Sequence, residues 1–139
     1  MVKYLVDANV LSEATKSSPA PMVVNWLRTH EGDLVVDPII VGELRFGILL
    51  LEPGRRRQRL EDWFERGVAT IQCIPWEMET GLRWATLLAR LRTTGHAMPI
   101  KDSMIAATAL VHELTLATRN RRDFEWSGLD LIDPFEAAP

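Results

Sequence analysis

The sequence lacks several features that mark secreted or membrane-bound proteins. It has one cysteine among 139 residues, so neither an internal disulfide nor a cysteine-rich zinc site can form. No run approaches the roughly 18 apolar residues that a membrane-spanning helix needs. The apolar stretch near Met1 is also too short for a signal peptide. We therefore expect a cytoplasmic protein with no membrane partner.

The chain also lacks an excess of basic residues, since its formal net charge is −3. Proteins that bind nucleic acid through overall charge are usually basic, so any such contact here must be local. The one basic run, 55–59, precedes Glu61, Asp62 and Glu65 and is expected to be a solvated helix face. The single cysteine, Cys73, lies in an apolar run and is expected to be buried.

Short β-rich runs alternate with longer helical patterns, and no repeat or linker interrupts them. Strands are predicted at 3–6, 34–36, 70–74, 114–118 and 129–132. Helices are predicted at 10–16, from Pro21 onward, and at 38–51, 55–66, 77–93 and 99–113. Strands separated by helices indicate βαβ units and a mostly parallel sheet covered on both faces. We predict one α/β domain over 1–139, with a tail only at Glu136–Pro139.

Two acidic residues lie on helix faces that should point inward. From Asp102, the positions three and four residues along are Ile105 and Ala106, so the carboxylate shares their apolar face. An acid in a first helical turn complements the helix dipole, but that does not explain an inward position, because acids are rarely buried without a partner. Glu43 lies on a similar stripe, with a salt-bridged core residue as the alternative.

Further polar residues follow predicted strands, at the sheet edge where functional groups of α/β proteins gather. Asp7 ends the first strand, although Asp-x-Asn before a helix also fits a turn with a helix cap. Asn120 and Asp123 follow the fourth strand and share one face if this segment is a helical turn. Capping is the alternative for them as well.

Carboxylates gathered in one pocket need compensation. Two unit charges 4 Å apart repel by roughly 4 kcal/mol at an effective dielectric constant of 20, so such a group must take up protons or bind cations. The chain has no cysteine cluster, and His30, His96 and His112 are scattered as ordinary surface or half-buried residues. The ligand atoms would then all be oxygen, which suits Mg²⁺ or Mn²⁺.

Four segments, in order, resemble the signature segments of PIN-domain proteins, and in particular the VapC-type toxins of bacterial toxin–antitoxin pairs with their FitB-like branch. The segments are 6–12, 41–47, 101–109 and 116–124. The ending Leu131–Phe135 is similar to the C-terminal ending of that family. Each segment alone is weakly specific, but the series spans essentially the whole chain.

The resemblance implies a three-layer α/β/α PIN-like fold and endoribonuclease activity on structured RNA, for example tRNA or rRNA. It also implies a homodimer and a cognate antitoxin that blocks the site, with operator DNA contacted only through that antitoxin. By position, the first three acids of the family fall on Asp7, Glu43 and Asp102. Many members carry Asp where this chain has Asn120, and Asp123 is then the candidate for the fourth charge.

These considerations give the expected site. The catalytic residues are Asp7, Glu43, Asp102 and Asp123, and Mg²⁺ or Mn²⁺ would bind to Asp7, Asp102 and Asp123. Glu43 would orient the nucleophile or bind the metal through water. Ser12, Thr118 and Asn120 are expected to support the acids by hydrogen bonds, and Arg119, Arg121 and Arg122 to contact RNA. The number of metal ions, and whether Asn120 or Asp123 completes the site, stay open.

Two other functions fit parts of the pattern. A Mg²⁺-dependent phosphoesterase would not explain arginines beside the acids or all four segments together. A non-catalytic PIN-fold binding module in a DNA-bound repressor complex would not need Asp7, Glu43 and Asp102 intact. A homodimer is expected from apolar residues in excess of one core, which are Phe46, Leu49, Leu50 and Leu51.

Overall fold

A computed structural model describes residues 3–136 and has a five-stranded parallel sheet at its centre. The strands are β1 (Tyr4–Val6), β2 (Leu34–Val36), β3 (Gln72–Cys73), β4 (Thr115–Ala117) and β5 (Leu131–Ile132). The helices are α1 (Ala8–Leu11), α2 (Pro21–Thr29), α3 (Pro38–Leu49), α4 (Arg55–Arg66), α5 (Met78–Thr94) and α6 (Ile100–His112). The predicted three-layer α/β/α arrangement is confirmed. Of the expected tail, Glu136 is described and pairs with Arg121, and residues 137–139 lie outside the described part of the chain.

The strand order β3-β2-β1-β4-β5 places β1 in the middle of the sheet. In the register of β1 and β4, Val6 lies opposite Ala117, and both are fully buried. Because all five strands are parallel, the residues that follow β1, β2 and β4 emerge at one edge. Asp7, Asp37 and Thr118 occupy these positions, and all three are buried. The topology alone therefore concentrates buried polar groups at the carboxyl edge of the sheet.

Local capping chemistry explains most helix boundaries. Pro38 is the first residue of α3, and the Asp37 side chain accepts a hydrogen bond from the Ile40 amide at 2.9 Å, as an N-cap does. Gly95 ends α5 in the left-handed conformation, with φ of 75°, which glycine adopts without steric cost. The predicted helix 10–16 begins earlier, at Ala8, and tightens into a 3₁₀ turn after Leu11.

The prediction that Cys73 is buried is wrong. β3 has only two residues and lies at the edge of the sheet, and both of its side chains are exposed. The apolar run is anchored instead by Ile74, which is buried one position later. In a strand successive side chains point to opposite faces, and an edge strand this short leaves its thiol uncovered.

The basic run at the start of α4 is a solvated face, as predicted. Arg57 forms an ion pair with Glu61 one turn later, with Nε 3.0 Å from Oε1. Gln58 donates to the Asp62 carboxylate at 3.1 Å. Both contacts follow the i,i+4 spacing of an exposed helix surface. Within the helix, the run is therefore paired at Arg57, and its other arginines face solvent.

Two further sequence expectations can be compared with the structure. His30 and His96 are half-buried and His112 is exposed, as predicted. Within residues 3–136, no helix combines the length and the hydrophobicity that crossing a bilayer requires.

Asp37 should be a structural residue, because both of its carboxylate oxygens have hydrogen-bond donors. Besides capping α3, it accepts a 2.7 Å bond from the Thr108 hydroxyl, which ties α3 to α6. We predict that Asp37→Ala lowers the free energy of unfolding by about 2–4 kcal/mol, from the lost cap and the unsatisfied buried hydroxyl. Urea denaturation measures this change. Asp62→Ala, on the exposed face of α4, is the control, and equal effects of the two would contradict the assignment.

Candidate functional site

Asp7 is the most firmly held of the candidate acids. It is buried at the end of β1, where its Oδ1 accepts a 2.8 Å hydrogen bond from the Ala8 amide. Its Oδ2 accepts from the Thr118 hydroxyl at 2.8 Å and from the Asn9 side-chain amide at 3.3 Å. Burial raises the pKa of Asp7, while these hydrogen bonds act in the opposite direction. The carboxylate is thus fixed in position by hydrogen bonds rather than by a direct ion pair.

Thr118 and Asn9 join the loop after β4 to the loop after β1. The Thr118 hydroxyl, which donates to Asp7, accepts the backbone N–H of Asn120 at 3.1 Å. The Asn9 side-chain oxygen accepts the backbone N–H of Arg119 at 3.1 Å. Sequence reasoning missed this role of Asn9, although the Asp-x-Asn spacing was visible and fitted a simple turn.

The other two supporting residues differ from Thr118. Asn120 contributes its backbone N–H, and its side chain is exposed. Ser12 bonds through its backbone: its N–H donates to the Ala8 oxygen, and its oxygen accepts from the Thr15 hydroxyl at 2.7 Å. Within the described part of the chain, Ser12 makes no hydrogen bond to a candidate acid. Thr118 is therefore the supporting residue whose side chain the fold brings into contact with an acid.

Glu43 reaches the same edge from α3 and meets a cation from another helix. Its Oε2 lies 3.7 Å from Nζ of Lys101, in the first turn of α6, whereas its Oε1 is buried without a hydrogen-bond partner. Burial is the main reason that the pKa of Glu43 is raised, followed by the charge of Asp7. Sequence spacing could not reveal Lys101 as a partner, because the two residues are on different helices. Arg45 instead packs over the ring of Phe64.

Asp102 shows most clearly that the acids are close together. Burial and then the charges of Asp7, Asp123 and Glu43 raise the pKa of Asp102 from 3.8 to about 6. Lys101 opposes this shift. Three acids from separate segments thus act electrostatically on a fourth, which is half-buried.

The acids form a loose cluster rather than a closed cage. Within residues 3–136, no three side chains of the His, Cys, Asp and Glu types are arranged closely enough to enclose a metal ion as they stand. Asp123 is exposed, in a 3₁₀ turn beyond β4. The structure therefore brings Asp7, Glu43 and Asp102 to one edge, with Asp123 at its periphery.

The three arginines of the loop after β4 are all exposed, but their surroundings differ. The guanidinium of Arg119 lies over the Phe135 ring, 4.4 Å from its centroid. Arg121 forms an ion pair with Glu136, with Nη1 3.1 Å from Oε2. An exposed pair of this kind contributes little stability and can exchange partners readily. RNA contact by Arg119, Arg121 and Arg122 stays a prediction.

Comparisons with known proteins cover nearly the whole chain. Residues 4–125 match the profile of the PIN domain family. VapC ribonuclease Y4jK of Sinorhizobium fredii is 34% identical, and the match covers 96% of this chain and 99% of the relative. Toxin FitB of Neisseria gonorrhoeae is 30% identical, over 94% of this chain and 97% of the relative. The crystal structure of FitAcB from Neisseria gonorrhoeae superposes with a TM-score of 0.90, at 30% identity, covering 96% of this chain and 99% of that one.

The raised pKa of Asp102 predicts a pH-dependent cost to stability. Its folded pKa of about 6 exceeds the ordinary 3.8, so the contribution of this group to stability is lost as pH rises through that interval. In EDTA at pH 7.5, Asp102→Asn should raise Tm by at least about 2 °C, since 1 kcal/mol shifts Tm by a few degrees in a domain of this size.

Thermal unfolding followed by circular dichroism measures this effect, and the gain should shrink at pH 4.5, where the wild-type side chain is largely protonated. Asp130→Asn, an exposed aspartate before β5, is the control. A Tm for Asp102→Asn that is lower than wild type at pH 7.5 would show that the carboxylate is not under electrostatic strain.

Proposed function

Because the chain belongs to the PIN-domain family, we propose that it is the ribonuclease toxin of a toxin–antitoxin pair. Its relatives include a protein named as a VapC ribonuclease and one named as the toxin FitB. The observation that carries the proposal is the convergence of Asp7, Glu43 and Asp102 at the carboxyl edge of the sheet, where the charge of Asp7 raises the pKa of both other acids. Perturbed pKa values of this kind are typical of functional sites.

We propose that the reaction is the Mg²⁺-dependent hydrolysis of phosphodiester bonds in structured RNA. The donor chemistry fits this ion, because the cluster offers carboxylate oxygens and one of them, Oε1 of Glu43, is buried without a hydrogen bond. Asp7, Asp102 and Asp123 would bind the ion, with Mn²⁺ as the substitute. When bound, the metal lowers the pKa of water and neutralises charge on the phosphoryl oxygens.

The protein's own residues would position the acids, the attacking water and the RNA phosphates. Thr118 and Asn9 both donate to Oδ2 of Asp7, and the Ala8 amide donates to Oδ1, so the carboxylate need not reorganise during the reaction. Glu43, with one free oxygen beside the other acids, would orient the attacking water. Arg119, whose backbone is bound to Asn9, would contact a phosphate close to this centre. Arg121 and Arg122 would contact phosphates farther from it.

We further propose that a cognate antitoxin inhibits the enzyme by inserting a basic side chain, an arginine, among the carboxylates. A guanidinium forms two parallel hydrogen bonds with a carboxylate and stays charged at all relevant pH values. It would replace the charge of the metal and relieve the same repulsion. In this proposal the toxin contacts operator DNA only through the antitoxin.

RNA cleavage by variants of the acids tests the proposed reaction. Asp7→Asn and Asp102→Asn should each lower the cleavage rate at least about 100-fold at saturating Mg²⁺, because the amide keeps the shape but removes the charge. Cleavage of a labelled structured RNA, together with circular dichroism of each variant, makes the measurement. Asp130→Asn is the matched control and should cleave like wild type. Rates within threefold of wild type in either acid variant would refute the assignment.

A homodimer is the second proposal that can be tested directly. Phe46 and Leu49 of α3, and Leu50 directly after it, are 62%, 50% and 68% exposed, which leaves an apolar surface at the end of this helix. We expect the mass of a dimer by light scattering at tens of micromolar. Phe46→Glu should shift the protein toward monomer. Leu82→Glu, at an apolar residue of α5 that is 64% exposed, should not. A wild-type monomer would exclude the dimer.

A further inference from the structure

Lys101 lies near the N-terminus of its helix, where the helix dipole disfavours a positive charge. It is the second residue of α6, whose N-cap, Pro99, provides no side-chain hydrogen bond. The N-terminus of a helix carries a partial positive charge, so anions are stabilised there and cations are not. A lysine at this position therefore needs compensation from outside the helix. Residues that break a local preference often do so for function.

The compensation comes from the acidic cluster. The Lys101 ammonium lies 3.7 Å from the Glu43 carboxylate, and Lys101 directly precedes Asp102 in the first turn of α6, so its positive charge lies beside both acids. The Lys101 side chain is 63% exposed, whereas that of Glu43 is 25% exposed. The ammonium is thus the outer partner, and an anion that approaches the acids from solvent meets it first.

We propose that Lys101 is the internal counter-ion of the carboxylate cluster, that it weakens the binding of divalent cations there, and that it contacts a phosphate of the RNA. The first two parts follow from the geometry of the cluster, and the third rests on the proposed ribonuclease function. The lysine and a metal ion both neutralise the same acids and repel each other. Metal affinity is thereby reduced, while in the absence of metal the lysine supplies part of the charge that offsets the acids.

The metal-binding test uses the full-length protein and Mn²⁺ in isothermal titration calorimetry. Lys101→Gln should bind Mn²⁺ about three- to tenfold more tightly, because a nearby positive charge is removed. Lys101→Arg keeps the charge and should stay within twofold of wild type. Lys3→Gln is the control, since Lys3 is bonded to Gln72 just ahead of β1, at the opposite edge of the sheet. Unchanged or weaker binding by Lys101→Gln would overturn the proposal.

The RNA test separates substrate contact from catalysis. At saturating Mg²⁺, Lys101→Gln should raise KM about tenfold and change kcat less than threefold, and Lys101→Arg should restore most of the loss. Tighter metal binding together with weaker RNA binding is a pair of opposite effects that a general loss of structure does not produce. An unchanged KM in Lys101→Gln would overturn the proposed phosphate contact.

Thermal unfolding in EDTA at pH 7.5 tests the counter-ion without metal or RNA. Lys101→Gln should lower Tm, although removing a cation from a helix N-terminus alone would raise it. In the Glu43→Gln background the same substitution should have a much smaller effect, because the principal partner is gone. Equal effects in both backgrounds would refute the counter-ion. If the wild-type protein cleaves no RNA, the proposed function fails, while this measurement still decides the role of Lys101.

Discussion

Repulsion among carboxylates that share one edge of a parallel sheet is the constraint on which the rest of this structure depends. Parallel strands bring their carboxyl ends together, so the topology that gives the chain its core also gathers acids from distant segments. The repulsion between acids brought together in this way must be offset by hydrogen bonds, by a counter-charge or by partial protonation. The structure uses the first two, and the raised pKa of Asp102 shows that the compensation is incomplete.

Two buried aspartates at this edge illustrate the difference between a structural acid and a reactive one. Asp37 has a hydrogen-bond donor on each oxygen from within the fold, and it caps a helix. Asp7 is also well bonded, by Thr118 and Asn9, but its charge in addition raises the pKa of Asp102. Burial raises the pKa of both residues. Burial therefore does not distinguish the two residues, whereas their contacts do: Asp37 joins α3 to α6, and Asp7 joins the segments that follow β1 and β4.

Much of this arrangement is visible in the sequence, because its signals are local. Proline after Asp37, glycine at position 95 and an acid at the end of a short apolar run are enough to place α3, the end of α5 and Asp7. The pairing of Lys101 with Glu43 is not visible, since it depends on how two helices pack. The prediction that Cys73 is buried fails for a related reason, because apolar neighbours in the sequence do not reveal that a strand lies at the edge of its sheet.

The exposure of Cys73 has a practical consequence for studies of assembly. As the sole thiol of the chain, it offers one defined attachment point for a maleimide probe, on a strand at the edge of the sheet. Partial burial raises the pKa of this thiol, so labelling should be efficient only in mildly alkaline buffer. The same thiol allows two copies to be cross-linked by air oxidation. A covalent pair formed in this way would have the mass of a dimer without using the apolar surface of α3, so a reducing agent belongs in every sizing experiment.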